Sequence, residues 1–195
     1  MTRPSQSLDA AYFEGMFQGD DDPWDLQTSP YEAAKFEASV AALDGRSYKA
    51  AFEVGCAGGS LTARLAPWTR ELLAIDISGT AVKRARRRCA PWPWVRIEQM
   101  AFPAENPAQT GFDLIVLSEV AYYWSDADLD LAARAITGKL APGGDLLLVH
   151  WTGETDYPQT GDQAVEMLAR CMGASTEVLR TERHEQYRLD LWRRR

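Results

Sequence analysis

Ala51-Phe52-Glu53-Val54-Gly55-Cys56-Ala57-Gly58-Gly59, followed by Leu72-Leu73-Ala74-Ile75-Asp76, is the stretch that decides the fold. An apolar run ends in an acid and passes into a turn of small residues. A second apolar run ends in another acid. A ligand can lie across the turn because Gly55, Ala57, Gly58 and Gly59 put no large side chain in its way. A helix starting near Gly59 presents free N–H groups and the positive end of its dipole. Asp76, at the tip of the next strand, has the lone pairs to accept two hydrogen bonds from a ribose diol. Together these residues predict a nucleoside site at the carboxyl edge of a parallel sheet.

Outward from this stretch, strands and helices alternate. Strands are expected at 49–54, 71–76, 94–99, 112–118 and 144–150, with helices near 59–66, 78–89 and 126–140 and a short turn around 104–109. That spacing implies an α/β fold with a parallel sheet and helices on both faces. Pro30 opens an earlier helix over 31–43, since proline is at home at a first helical position. Ser78 and Asp126 are expected N-caps. Ala141-Pro142-Gly143-Gly144 is expected to stop the fourth helix and turn into the fifth strand. A helix near 162–173 and two further strands, about 175–183 and 186–193, complete the chain. Residues 1–29 are polar and read as a cap or lid, and residues 30–195 as one domain.

The 195 residues suit one domain that buries about 70% of its unfolded surface. A net charge of -7 repels phosphate backbones, which argues against DNA or bulk RNA as a partner. The basic run Lys83-Arg84-Ala85-Arg86-Arg87-Arg88 reads as a solvated helix face. Cys56, Cys89 and Cys171 are odd in number and widely spaced, which disfavours a disulfide frame or a zinc site. No metal-ligand cluster is visible. No apolar stretch approaches 18 residues and no signal sequence is apparent, so a cytoplasmic, membrane-free protein is expected.

The turn is not the dinucleotide fingerprint. Counted from Gly55, the second and third glycine positions of G-x-G-x-x-G hold Ala57 and Ser60, so a nicotinamide-dependent oxidoreductase is the lesser reading. The turn instead resembles motif I of the class I S-adenosylmethionine methyltransferases. Glu53 matches the family's acid, Gly55 and Gly59 its first and last glycines, and Asp76 its ribose-binding acid; Ala57 replaces the middle glycine. The resemblance implies a Rossmann-like, doubly wound, seven-stranded and mostly parallel sheet with the last strand antiparallel. Asp22-Pro23-Trp24, Tyr31-Glu32-Ala33-Ala34-Lys35-Phe36 and Glu53-Val54-Gly55-Cys56 are most similar to one branch, the rhizobial nodulation N-methyltransferases. That branch acts on the free glucosamine amine of a chitooligosaccharide.

The resemblance implies S-adenosylmethionine as cofactor, a small-molecule or oligosaccharide acceptor, and methylation at nitrogen or oxygen. Ligands of open α/β sheets sit beyond the strand tips. For the cofactor these tips offer Glu53, Gly55, Cys56, Ala57, Gly59, Asp76, Ile77, Gln99, Met100, Ala101 and Ser118. The third tip departs from the family, which places an acid where Gln99 stands. Phe102 beside it serves equally as loop packing. After the fourth strand, Glu119 could hold a cationic amine or take its proton, and Tyr122, Tyr123 and Trp124 could wall the acceptor. After the fifth, His150 stands where a base would stand, whereas His184 reads as a solvated position. The catalytic candidates are therefore Glu119, His150 and Tyr122, with Trp24 as a lid aromatic. A protein that binds the cofactor without catalysis is the remaining alternative.

Overall fold

The computed structural model describes residues 3–195. Seven strands run in the order β3-β2-β1-β4-β5-β7-β6: β1 (Ala51–Val54), β2 (Leu72–Asp76), β3 (Val95–Gln99), β4 (Phe112–Ser118), β5 (Leu140–Trp151), β6 (Thr176–Arg183) and β7 (Tyr187–Arg194). The chain forms two compact units, one of Asp9–Ala101 and one of Phe102–Arg195 together with the stretch ending at Leu8.

In the first unit β1 pairs parallel to β2, and β2 to β3. Every residue of β1 and β2 is buried, Glu53 and Asp76 among otherwise apolar residues, as in strands covered on both faces. Helix α1 (Ala10–Gly19) is capped by Asp9, which accepts the Tyr12 N–H. Helix α2 (Pro30–Ala41) carries Pro30 in its first turn and is capped by Ser29. Helix α3 (Ser60–Leu65) leaves the small-residue turn, and α4 (Gly79–Arg88) is capped by Ser78, which accepts the Ala81 N–H. Beneath the turn, Cys56, Ala74, Val82, Ala85, Cys89 and Ile97 form one apolar cluster.

The basic run on α4 leaves Lys83, Arg86 and Arg87 exposed, as expected of a solvated face, but Arg84, Arg86 and Arg88 also bind backbone elsewhere in the chain. Arg84 donates to the carbonyls of Phe17, Asp20 and Asp21, Arg86 to Ile97 O, and Arg88 to Gly58 O. Helix α1, which the polar composition of residues 1–29 did not suggest, is held at its C-terminal end by the Arg84 contacts.

In the second unit β4 and β5 are parallel, while β7 runs antiparallel to both β5 and β6. Leu146, Leu147, Leu148 and Val149 are fully buried. Helices α5 (Asp126–Lys139) and α6 (Gly161–Met172) belong to this unit. The N-cap of α5 is Ser125 rather than Asp126: the Ser125 hydroxyl accepts the Asp128 N–H, and Asp126 lies inside the positive first turn. β5 begins at Leu140 instead of Gly144. Leu140 pairs with Phe112, and a register shift between Phe112 and Leu114 takes up Ala141-Pro142-Gly143-Gly144. His184 stacks on Tyr187, with ring centroids 4.2 Å apart.

Candidate active site

The cofactor-type residues gather at the tips of β1, β2 and β3 in the first unit. After β1 the backbone turns through positive φ at Gly55 (76°), Ala57 (46°) and Gly59 (80°). A side chain at Gly59 would be strained and would also press on Ala85 Cα at 3.1 Å. Gly55 N–H and Cys56 N–H both donate to Ile75 O, at 2.8 and 2.9 Å. Asp76 completes the tie: one carboxylate oxygen accepts the Ala57 N–H at 2.8 Å, the other the Ser78 N–H at 2.9 Å. The left-handed backbone at Ala57 is thus held by a charge-assisted bond.

Glu53 is buried beneath this turn at 2% exposure, and its Oε2 meets no hydrogen-bond partner among the described residues. Burial pushes its carboxyl up to about 7; the Asp76 charge adds to this and the Thr62 hydroxyl works against it. Burial likewise raises Asp76 to about 6, against the pull of the Ser78 and Ala57 N–H groups. Burial also pushes the Cys56 thiol well up, which leaves it an inert packing group. At the third tip, Gln99 Nε2 donates to Ile77 O at 3.1 Å, which fixes the amide and leaves its oxygen as the acceptor. Met100 N–H donates to Asp76 O at 3.0 Å.

Glu14 on α1 is a site-adjacent group the sequence did not single out. Its carboxylate accepts the hydroxyls of Ser78 and Thr80, each at 2.6 Å, and the Thr80 N–H at 3.1 Å. These bonds, the Ser78 hydroxyl first, hold it down at about 2. Asp9 before an apolar-periodic run was the available signal for α1, but nothing marked Glu14 within it. Trp24 has a positive φ of 64° and meets Phe17 edge-on at 5.7 Å.

The acceptor-type residues lie in the second unit. Ser118 ends β4, half-buried. Glu119 follows at φ 57°, an uncommon conformation for a residue with a side chain. Its N–H donates to Val149 O at 2.8 Å. Its Oε2 accepts both the Tyr122 hydroxyl and the Trp151 N–H, each at 2.8 Å. Tyr122 stacks on Tyr157 at 5.5 Å and 12°, and Tyr123 meets both rings edge-on. Burial keeps the Tyr122 and Tyr123 phenols neutral. Phe102 packs on Trp124 at 5.7 Å. His150 is fully buried, and its Nε2 accepts the Ala121 N–H at 3.2 Å. That bond occupies the lone pair a base would use.

A doubly wound sheet of this order, with β7 reversed and a glycine turn after β1, is the Rossmann-like methyltransferase fold. The N-methyltransferase NodS from Bradyrhizobium japonicum, solved in complex with S-adenosyl-L-homocysteine, matches with a TM-score of 0.83 at 23% identity over 96% of this chain and 99% of that one. A putative methyltransferase from Pseudomonas syringae matches with a TM-score of 0.74 at 37% identity, over 84% of this chain and 99% of that one. The family model of Nodulation protein S (NodS) covers residues 17–153, and the chain belongs to that family. Nodulation protein S of Bradyrhizobium diazoefficiens is 36% identical over 164 residues, 81% of this chain and 72% of that protein. The Rhizobium tropici protein is 38% identical over 132 residues, 65% of this chain but 54% of its own length. The matched stretch thus spans little more than half of that relative.

Proposed function

We propose that this chain is an S-adenosylmethionine-dependent methyltransferase that methylates an amine nitrogen of a small molecule, with an aminosugar oligomer as the favoured acceptor class. The observation that carries it is the buried, unmet Glu53 oxygen below a left-handed glycine turn that Asp76 ties down. A buried carboxylate of this kind is satisfied by a cationic amino group, and an acid at the β2 tip by a ribose diol. Gly55, Cys56, Ala57 and Gly59 keep the path across the turn open. Ile77, Gln99, Met100 and Ala101 are assigned to the adenine. Residues 9–29, with Trp24, are assigned to covering the cofactor. Bound S-adenosylmethionine supplies an electrophilic methyl on a sulfonium sulfur.

Glu119 and Tyr122 are assigned to the acceptor. An ammonium must lose a proton before its nitrogen can attack, and Glu119 is the carboxylate in place to hold the cation and take that proton. Tyr122 orients Glu119 through its hydroxyl. His150 is assigned as a positioning group for the same turn, through the bond it accepts from the Ala121 N–H. The acidic net charge of -7 supports a small acceptor over nucleic acid. No helix among the described residues is long and apolar enough to cross a membrane, and the cysteines are free, which supports a cytoplasmic setting.

The test offers labelled S-adenosylmethionine to the purified chain with glucosamine oligomers, simple amines and hydroxyl acceptors. Methyl transfer to a free amine, absent when that amine is acetylated, is the expected result. Cofactor binding without transfer to any amine would overturn the proposal.

A further inference from the structure

Residues 3–8 belong to the second unit, and their polar groups close on the loops after β4 and β5. Leu8 N–H donates to Tyr123 O at 3.0 Å. Ser7 Oγ accepts the Ser125 N–H at 2.8 Å and donates to the Asp128 carboxylate, at the head of α5. Arg3 makes the most contacts. Its Nη1 donates to Tyr157 O at 2.7 Å, Gln159 O at 3.2 Å and Thr155 Oγ1 at 3.4 Å. One planar cation thus gathers three oxygens of the loop 152–159.

That loop carries Tyr157, whose ring lies flat on Tyr122, the partner of Glu119. Near its ends the loop is tied by Thr152 N–H to Gln186 O and by Gln159 N–H to Tyr122 O. The middle is where Arg3 acts. A loop of this length without its staple samples many conformations, and a ligand that needs one of them must order it on binding.

We infer that Arg3 is a positioning residue for the acceptor: it fixes loop 152–159 so that Tyr157 stacks on Tyr122 and the wall beside Glu119 has a single shape. The inference rests on the reading of Glu119 and Tyr122 as the acceptor-side groups. Without Arg3 the acceptor bears the cost of ordering the loop, so the loss falls on KM for the acceptor and spares the cofactor. Lysine keeps the charge and donates from one nitrogen, as Arg3 does through Nη1, but on a flexible stem without the rigid guanidinium plane, and gives an intermediate effect.

The test uses Arg3→Ala and Arg3→Lys in the full chain. Hydrogen exchange of the loop 152–159 amides is expected to quicken about tenfold or more in Arg3→Ala and less in Arg3→Lys, with β4 and α6 unchanged. With a glucosamine oligomer as acceptor, KM is expected to rise about 5- to 20-fold, with kcat within about twofold and the Kd for S-adenosylmethionine unchanged. Loop exchange equal to wild type overturns the inference. Faster exchange spread over the whole unit does so too, since Arg3 would then serve general stability. Faster loop exchange with an unchanged KM removes Arg3 from acceptor binding. A wild-type chain that methylates no amine overturns the acceptor reading itself, and the inference with it, whatever the exchange shows.

Discussion

The Asp76 carboxylate accepts the Ala57 N–H at 2.8 Å, so the tip of β2 holds the turn that follows β1. The residue assigned to the ribose therefore also sets the shape of the cradle.

Asp76→Ala should do two things at once. It should weaken S-adenosylmethionine binding by about 1–3 kcal/mol, the scale of a hydrogen bond to a charged group. It should also lower thermal stability, because the Ala57 and Ser78 N–H groups lose their acceptor. Calorimetric titration and a melting curve on the same sample separate the two. Unchanged affinity would remove Asp76 from the ribose.

Gly59→Ala should destabilise the fold by about 1–3 kcal/mol, through positive φ and pressure on the α4 backbone. Gly55→Val, at φ 76°, should abolish cofactor binding. Denaturant melts check the first and titration the second. If Gly55→Val binds S-adenosylmethionine as wild type does, the turn is not the cradle.

The ligand-free protein should grow more stable as pH falls from about 7 to about 4.5. Glu53 titrates at about 7 in the fold against 4.5 ordinarily, and Asp76 at about 6 against 3.8. Between those values the folded chain holds protons that the unfolded chain has released, so stability is gained on acidification and lost again as pH rises through the folded pKa. Glu14, held down at about 2, contributes in the opposite sense, and its share is lost only below about 4.5. Melting temperatures of wild type and Glu53→Gln at pH 5 and 7.5 check this; the variant should show a smaller rise. Cofactor affinity should run the other way and strengthen about fivefold or more from pH 6 to 8, because a cationic group needs the ionised Glu53.

Glu119→Gln should keep the fold, since the amide oxygen can still accept from Tyr122 and Trp151, while kcat falls about 10²-fold or more. His150→Ala should act differently. It opens a buried cavity and strips Ala121 N–H of its acceptor, which costs about 2–4 kcal/mol of stability alongside any loss of rate. Rates of Glu119→Gln within about threefold of wild type would mean that alignment suffices without this carboxylate.

The central strands were legible because each is an apolar run ended by an acid or a small-residue turn, and Ser78 and Pro30 announced their helices in the same local way. The misreadings lie where tertiary partners decide. Ser125 outcompetes Asp126 as a cap by one residue. The Pro-Gly-Gly segment falls inside β5, because Leu140 already pairs with Phe112 and a register shift takes up the residues between. Helix α1 buries Phe17 and exposes most of its other side chains, so composition concealed it. The same holds for the candidate site. Glu53, Gly55 and Asp76 stand within 24 residues of one another in the sequence and advertise themselves as a motif. The Glu119–Trp151 and Arg3–Tyr157 bonds join residues 32 and 154 positions apart, and no local pattern encodes them.

The α4 arginines carry one more consequence. Counted as formal charge, residues 83–88 would make one flank of an acidic protein a cationic beacon for polyanions. Arg84, Arg86 and Arg88 keep that charge and also direct N–H groups at backbone oxygens, so they fasten their own chain as well as carry a field. An arginine-to-lysine exchange along α4 would leave the isoelectric point almost untouched and yet unfasten the end of α1, the edge of β3 and the glycine turn together. For this helix the isoelectric point is silent about what would be lost.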